Sequence, residues 1–125
     1  MSDKFELMQE KLNVANEKVE SFTYQGAARV IMSKYSYKTN EKIVFTFWTN
    51  GVKVASNAWI GIVPASIPHG SESTNDGHDK SFKYLSGKTT ATFDLRNPGR
   101  GKWTVRFHDT DSGGQEIAFA SFVVS

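Results

Sequence analysis

The residues able to do chemistry gather in two polar stretches. The first runs from Pro64 to Lys80 and carries His69, Glu72, Asn75, Asp76, His78 and Asp79. The second runs from His108 to Glu116 and carries Asp109, Asp111 and Glu116 around Gly113 and Gly114. Calcium takes six to eight hard oxygens at roughly 2.3–2.6 Å, and carboxylates spaced along a turn supply them. Asp109, Asp111 and Glu116 are therefore candidate calcium ligands, with Asp76 and Asp79 added from the first stretch. The spacing is not that of an EF-hand loop. The same composition also suits an ordinary hairpin loop whose Asp side chains accept from backbone N–H groups.

Long ordered loops are often functional, because a rigid scaffold holds them while their polar groups stay free. His69, Glu72, Asn75, Asp76, His78 and Asp79 are accordingly the expected ligand-binding residues. Catalysis has less support. His69, His78 and His108 are the three histidines, and Ser71 and Ser73 beside His69 supply the residue types of a hydrolytic triad. Triads are defined by geometry rather than by types. No nucleophile elbow, phosphate-cradling glycine loop or His-Glu-x-x-His pattern is present, so a non-enzyme is expected. His69 and His78 could also form a two-histidine transition-metal site.

Two kinds of element must position these groups. From Ser2 to Phe22, apolar residues fall at Phe5, Met8, Leu12, Ala15, Val19 and Phe22. Steps of three and four make a heptad stripe, which predicts an amphipathic helix as a segment of residues 1–25. A helix that short needs packing. It would dock on the rest of the chain or self-associate through residues 5–22 into a homo-oligomer. From Ala28 the period becomes two. Seven strands are expected: Ala28–Lys34, Lys42–Thr49, Asn57–Val63, Ser81–Leu85, Lys88–Leu95, Lys102–His108 and Glu116–Val124. In the sixth, Trp103, Val105 and Phe107 should point inward and Thr104, Arg106 and His108 outward. Trp59 is expected to bury its ring between sheets, with Gly61 permitting close packing. Trp48, on the opposite face from Phe45 and Phe47, would pack under the helix or stack on a ligand.

Short alternating strands with turn residues between them read as mainly β, an immunoglobulin-like β-sandwich over 28–125 with an N-terminal α-helix. Its simple topology raises a difficulty. The loop after the third strand and the loop between the last two would lie at opposite ends. A shared ion then needs an extra strand within 64–80, or that segment folding back along an edge.

The stretch Tyr35-Ser-Tyr37-Lys-Thr-Asn-Glu41-Lys-Ile43-Val-Phe45-Thr-Phe47, followed by Trp59-Ile60-Gly61-Ile62-Val63-Pro64, resembles the SKICH-type and related bacterial immunoglobulin-like modules. Their hallmark is an aromatic-x-x-x-Glu-x-Ile/Val start and an Asp-Trp-Ile-Gly-Ile central strand. The match covers Tyr35 to the C-terminus. The acid before the tryptophan is missing, since Asn57-Ala58 stands there, so no role of that acid carries over. The resemblance implies the sandwich fold and a protein-interaction, membrane-targeting or appended binding role.

Composition narrows the classes. The chain has 125 residues, a net charge of +2 and no cysteine. A dense basic field for nucleic acid is not indicated. No apolar run is long enough to span a membrane as a helix, and no apolar signal segment stands near Met1. Without cysteine there is no disulfide or zinc–thiolate site, which suits a cytoplasmic setting. The expectation is a non-catalytic binding module, assisted by calcium, that recognises a saccharide or a protein surface through residues 64–80. The alternative is an assembly protein joined through its N-terminal helix.

Overall fold

Alternation is the signal the chain obeys from residue 28 onward. The structure, a computed structural model, describes residues 7–14, 17–24 and 28–125. It holds strands β1 (Leu7–Val14), β2 (Glu17–Tyr24), β3 (Arg29–Met32), β4 (Ser36–Tyr37), β5 (Ile43–Trp48) and β6 (Trp59–Pro64). A short helix α1 (Glu72–Asp76) follows, then β7 (Ser81–Tyr84), β8 (Thr90–Leu95), β9 (Gly101–His108) and β10 (Glu116–Val124). The protein is thus mainly β, in two sheets. The larger runs β1-β2-β10-β9-β6-β7, with β4 parallel to β10, and the smaller runs β3-β5-β8. Each of the seven expected strands has a counterpart.

The expected N-terminal helix is corrected. Leu7–Val14 and Glu17–Tyr24 form an antiparallel hairpin in unbroken register, from Leu7↔Tyr24 to Val14↔Glu17. The hairpin joins the larger sheet where Thr23, Phe22 and Ser21 stand opposite Ala118, Phe119 and Ala120. The physical reason is the edge of β10. Its unpaired N–H and C=O groups are satisfied by a strand and not by a helix, while an isolated helix of this length has a costly nucleus. The stripe that suggested heptads contains a β alternative: Leu12 and Val19, seven residues apart, are opposite each other across the hairpin. A homo-oligomer through a helix over residues 5–22 therefore loses its basis across the described part. Phe5 and Ala15 lie outside the described residues, as do 1–6, 16 and 25–27.

One core lies between the sheets. Val30, Met32, Ile43, Phe45 and Phe47 contribute from the smaller sheet. Ile60, Ile62, Val105, Phe107, Ala118, Ala120 and Phe122 contribute from the larger. Phe47 meets Phe107 edge to face across the gap, with centroids 5.5 Å apart. Each fully buried side chain of this size contributes about 1.5–3 kcal/mol.

The other face of the larger sheet positions the site. Strand pairing places Tyr84, Trp59, His108 and Glu116 in one row across β7, β6, β9 and β10. Phe82, Gly61, Arg106 and Phe119 make the next row. Trp59 is therefore not between the sheets. It points to the far side and is still fully buried, because residues 64–80 cover it. Thr104, Arg106 and His108 face away from the core as their alternation requires, and the same cover buries them. A β-bulge between Glu116 and Ala118 completes the arrangement. Glu116 and Ala118 would share a face in a regular strand. The extra residue turns Glu116 onto the outer face and leaves Ala118 in the core. Trp48 lies on the outer face of the smaller sheet, opposite Arg29 in the register.

Gly61 makes the row pack. A Cβ at that position would come within 2.6 Å of Trp59 Cζ3 and 3.1 Å of the Ser81 carbonyl oxygen. Gly61→Ala is expected to destabilise the fold by about 1–3 kcal/mol, as overpacking does. Urea unfolding followed by tryptophan fluorescence checks it. An unchanged midpoint would mean that the indole does not lie over Gly61.

Candidate functional site

Residues 64–80 cross the larger sheet as a strap. Ser71 caps α1, its hydroxyl accepting from Thr74 N at 3.2 Å. One turn of helix puts positions i and i+3 on the same side. Glu72 and Asn75 take that side and are buried, while Ser73, Thr74 and Asp76 face out. The backbone fixes the strap to the second polar stretch. Glu72 N donates to Gly114 O at 3.1 Å, and Glu116 N donates to Gly70 O at 3.0 Å. Ser71 and Gln115 form an isolated antiparallel bridge. The topological difficulty is resolved by this fold-back: the two polar stretches meet.

Arg106 is the centre of the buried network. Its side chain is fully buried, and its donors are spread over the strap. Nε donates to Thr104 Oγ1 at 2.8 Å. Nη1 donates to Asn75 Oδ1 at 2.8 Å and Pro68 O at 3.2 Å. Nη2 donates to Ile67 O at 2.7 Å and Pro64 O at 3.3 Å. Glu116 Oε1 lies 3.6 Å from Nη1 and balances the charge.

Asn75 then fixes the protonation of His108. Its Oδ1 is taken by Arg106, so Nδ2 provides two donors. These go to Glu116 Oε1 and His108 Nε2, both at 2.9 Å. His108 Nε2 must accept, which leaves Nδ1–H to donate to Trp59 O at 3.2 Å. The network thereby assigns a neutral imidazole with its proton on Nδ1. Burial is the main reason the His108 pKa falls to about 4. The ring stacks on Trp59 at 3.9 Å between centroids. Trp59 Nε1 donates to Glu72 Oε2, and Gly113 N to Glu72 Oε1, both at 2.9 Å.

Glu116 is the buried anion. Burial, the largest single influence, would raise its pKa. The hydrogen bond from His69, the charges of His69 and Arg106 and the Asn75 amide together outweigh burial and hold it below the ordinary carboxyl range. His69 Nδ1 donates to Glu116 Oε2, its ring lies against Phe119 with centroids 4.0 Å apart, and its side chain is 33% exposed.

The expected residues divide by role. Glu72 and Asn75 are turned inward, and His69 is tied to Glu116. Asp76 and His78 are exposed, and Asp79 is half-buried. Among the expected calcium ligands, Asp76 and Asp111 come together with Glu72. One oxygen of each lies within 4.8 Å of the others. Asp79 senses the same corner: its pKa is raised first by burial, then by the charges of Asp76 and Asp111. Glu116 belongs instead to the buried network. Asp109 serves its own turn, with Oδ1 accepting from Gln115 N at 2.8 Å. Tyr84 OH donates to Asp111 Oδ2 at 2.7 Å. Beside Tyr84 stands Phe82, and these are the exposed large apolar residues of the described chain, at 42% and 48%.

Sequence reasoning missed Arg106, Trp59 and Tyr84 as parts of the site. One signal was available. Thr104, Arg106 and His108 share the outer face of a strand, and a 17-residue polar excursion stands free to cover it. An arginine and a histidine on one sheet face call for such cover or for water.

Two outcomes follow for stability. The His108 pKa is depressed, so the unfolded chain binds a proton that the fold refuses. Its contribution is fully present above pH 6.5 and is lost as the pH falls toward about 4, a change of about 3 kcal/mol. Loss from Glu116 follows below pH 4.5. His108→Gln should flatten the first limb in urea titrations across pH; an unchanged limb would place the titration elsewhere. Arg106→Met takes the guanidinium charge from beside buried Glu116 and leaves the covered carbonyls of Ile67 and Pro68 without that donor, and should cost about 3–5 kcal/mol. Hydrogen exchange should then show the amides of residues 64–80 opening first. Uniform loss across the sheet instead would mean that Arg106 does not hold the strap.

No family model matches the chain, and no curated protein matches it. Among solved structures, the crystal structure of the PmoD soluble domain from Methylocystis sp. (Rockwell) is similar, at 15% identity and a TM-score of 0.47. The alignment covers 99% of this chain and 100% of that chain. A likeness at that level carries no argument about this protein.

Proposed function

We propose that the chain is a non-catalytic binding module built on an immunoglobulin-like β-sandwich, which recognises a saccharide or a protein surface through the outward side of its strap. The observation that carries this reading is the corner where Glu72, Asp76 and Asp111 converge beside the exposed rings of Phe82 and Tyr84. Rings offer flat apolar area, and the carboxylates accept hydrogen bonds or hold a cation. The buried network beneath them supplies rigidity, since a preorganised surface loses less entropy on binding.

Calcium is the inorganic cation that suits this corner. Three carboxylates on a strap and a turn supply hard oxygens, and crowded negative charges are relieved by a divalent ion. Catalysis has weaker geometric support. Ser71 Oγ caps α1 and lies 3.1 Å from Ser73 Oγ, so it serves the fold, and His69 is committed to Glu116 through Nδ1.

A thermal melt in calcium against chelator tests the cation. At ten times the dissociation constant, calcium adds about 1.4 kcal/mol, a rise of roughly 5 °C. Asp76→Asn with Asp111→Asn should abolish the rise, and Asp109→Asn should keep it. Oligosaccharide and peptide arrays test the recognition. Binding that disappears in the Asp76→Asn, Asp111→Asn and Phe82→Ala variants supports the module. Binding indifferent to all three overturns it.

A further inference from the structure

The corner described above has a sign as well as a shape. Glu72, Asp76, Asp79 and Asp111 crowd one end of the strap. The ion pairs formed among the described residues join Lys34 to Glu41, Lys42 to Asp94, and Glu116 to His69 and Arg106. None of them neutralises this corner. A chain of net charge +2 thus carries a local negative pole without a counter-ion among the described residues. The Lys83 ammonium is directed elsewhere, 5.1 Å from the centroid of Phe93 on the smaller sheet.

Next to this pole lies β7, the last strand of the larger sheet, with no strand on its free side among the described residues. Phe82 and Tyr84 stand two residues apart on one face of it, edge to face with centroids 5.3 Å apart. The hydrogen bond from Tyr84 OH to Asp111 ties ring and carboxylate into one surface. Aromatic faces attract cations, carboxylates pair with guanidinium groups in fixed geometry, and a free strand edge accepts an extended backbone. These three features select the same occupant.

We infer that β7 and the acidic end of the strap form a docking surface for a basic, extended peptide segment of a partner protein, whose arginine or lysine lies over Phe82 and Tyr84 and reaches Asp76 and Asp111. The inference rests on the binding-module reading and narrows it to one class of ligand. Charge complementarity favours it over a neutral saccharide, which would leave Asp76, Asp79 and Asp111 without a counter-charge. Calcium and the peptide compete for the same oxygens.

The test is amide chemical-shift mapping on the full chain, in chelator, with a short peptide of alternating arginine and valine. Its counterpart with citrulline in place of arginine is the control. Shifts are expected at Ser81–Tyr84 and around Asp76 and Asp111, weakening about tenfold from low to high salt. Asp76→Asn with Asp111→Asn should weaken binding about tenfold or more, and calcium should displace the peptide. Tyr84→Phe, which keeps the ring, should still bind. Equal binding of the citrulline peptide, or shifts mapping elsewhere, overturns the inference. A neutral oligosaccharide that shifts this corner while the arginine peptide does not would overturn it and leave the module reading standing. Silence from peptide, oligosaccharide and calcium alike would remove both.

Discussion

A single buried guanidinium holds the strap to the sheet. Arg106 has no exposed side-chain surface, and its donors are divided between Thr104 on its own strand and four acceptors on residues 64–75. The three carbonyls it serves, on Pro64, Ile67 and Pro68, belong to a stretch without regular secondary structure at two of them. Such carbonyls need partners when covered. Strap and arginine therefore satisfy each other, and neither can be satisfied alone. Burying a charge is costly, and a buried pair is weak evidence for net stability. What it provides is uniqueness: lifting the strap strands a cation and an anion together.

The anion reaches its place by a backbone device. Glu116 faces Arg106 and His69 only because β10 carries a bulge before Ala118. Without it, the parity of the strand would send Glu116 into an apolar core or Ala118 out of it. The bulge also closes the row Trp59–His108–Glu116, where the indole stacks on the imidazole and Asn75 bridges imidazole and carboxylate. Gly61 belongs to the same logic. Its missing side chain gives the Trp59 ring room to lie over β6, so a small residue on one row makes space for a large one on the next. Order in the strap thus descends from register in the sheet.

These features explain which parts were legible beforehand. Seven of the eight strands from Arg29 to Val124, all but the two-residue β4, were visible because period-two alternation in Phe45, Phe47, Val105 and Phe107 records burial against the opposite sheet. The strap is visible as a polar excursion carrying His69, Glu72 and Asn75, although Glu72 and Asn75, expected to face a ligand, turn their side chains to the interior. Their partners were not visible. Alternation says that Arg106 and His108 leave the core, and it is silent about a second cover on the far side. The bulge that redirects Glu116 has no mark in its residue types. The N-terminal hairpin is hidden in the sequence because Leu12 and Val19 fit a heptad and a cross-strand pair equally well; the edge of β10 decides between them, and that edge exists only in the folded sheet.

The partition of polar groups bears on what the site can do. Glu116 accepts from His69, Gly70 and Asn75 and offsets Arg106. His108 both accepts and donates within the interior. A pair resembling a carboxylate–histidine dyad is therefore spent on holding the strap. Groups engaged in this way resist the change of protonation that acid–base chemistry demands, because each proton moved breaks a buried hydrogen bond. The carboxylates of Asp76 and Asp111, beside the exposed rings of β7, carry no such debt to the interior. Their positions are nevertheless fixed by it, through Glu72 to Trp59 and Gly113. That division of charge is what the proposed binding surface draws on: groups locked in the interior hold outward-facing carboxylates in place.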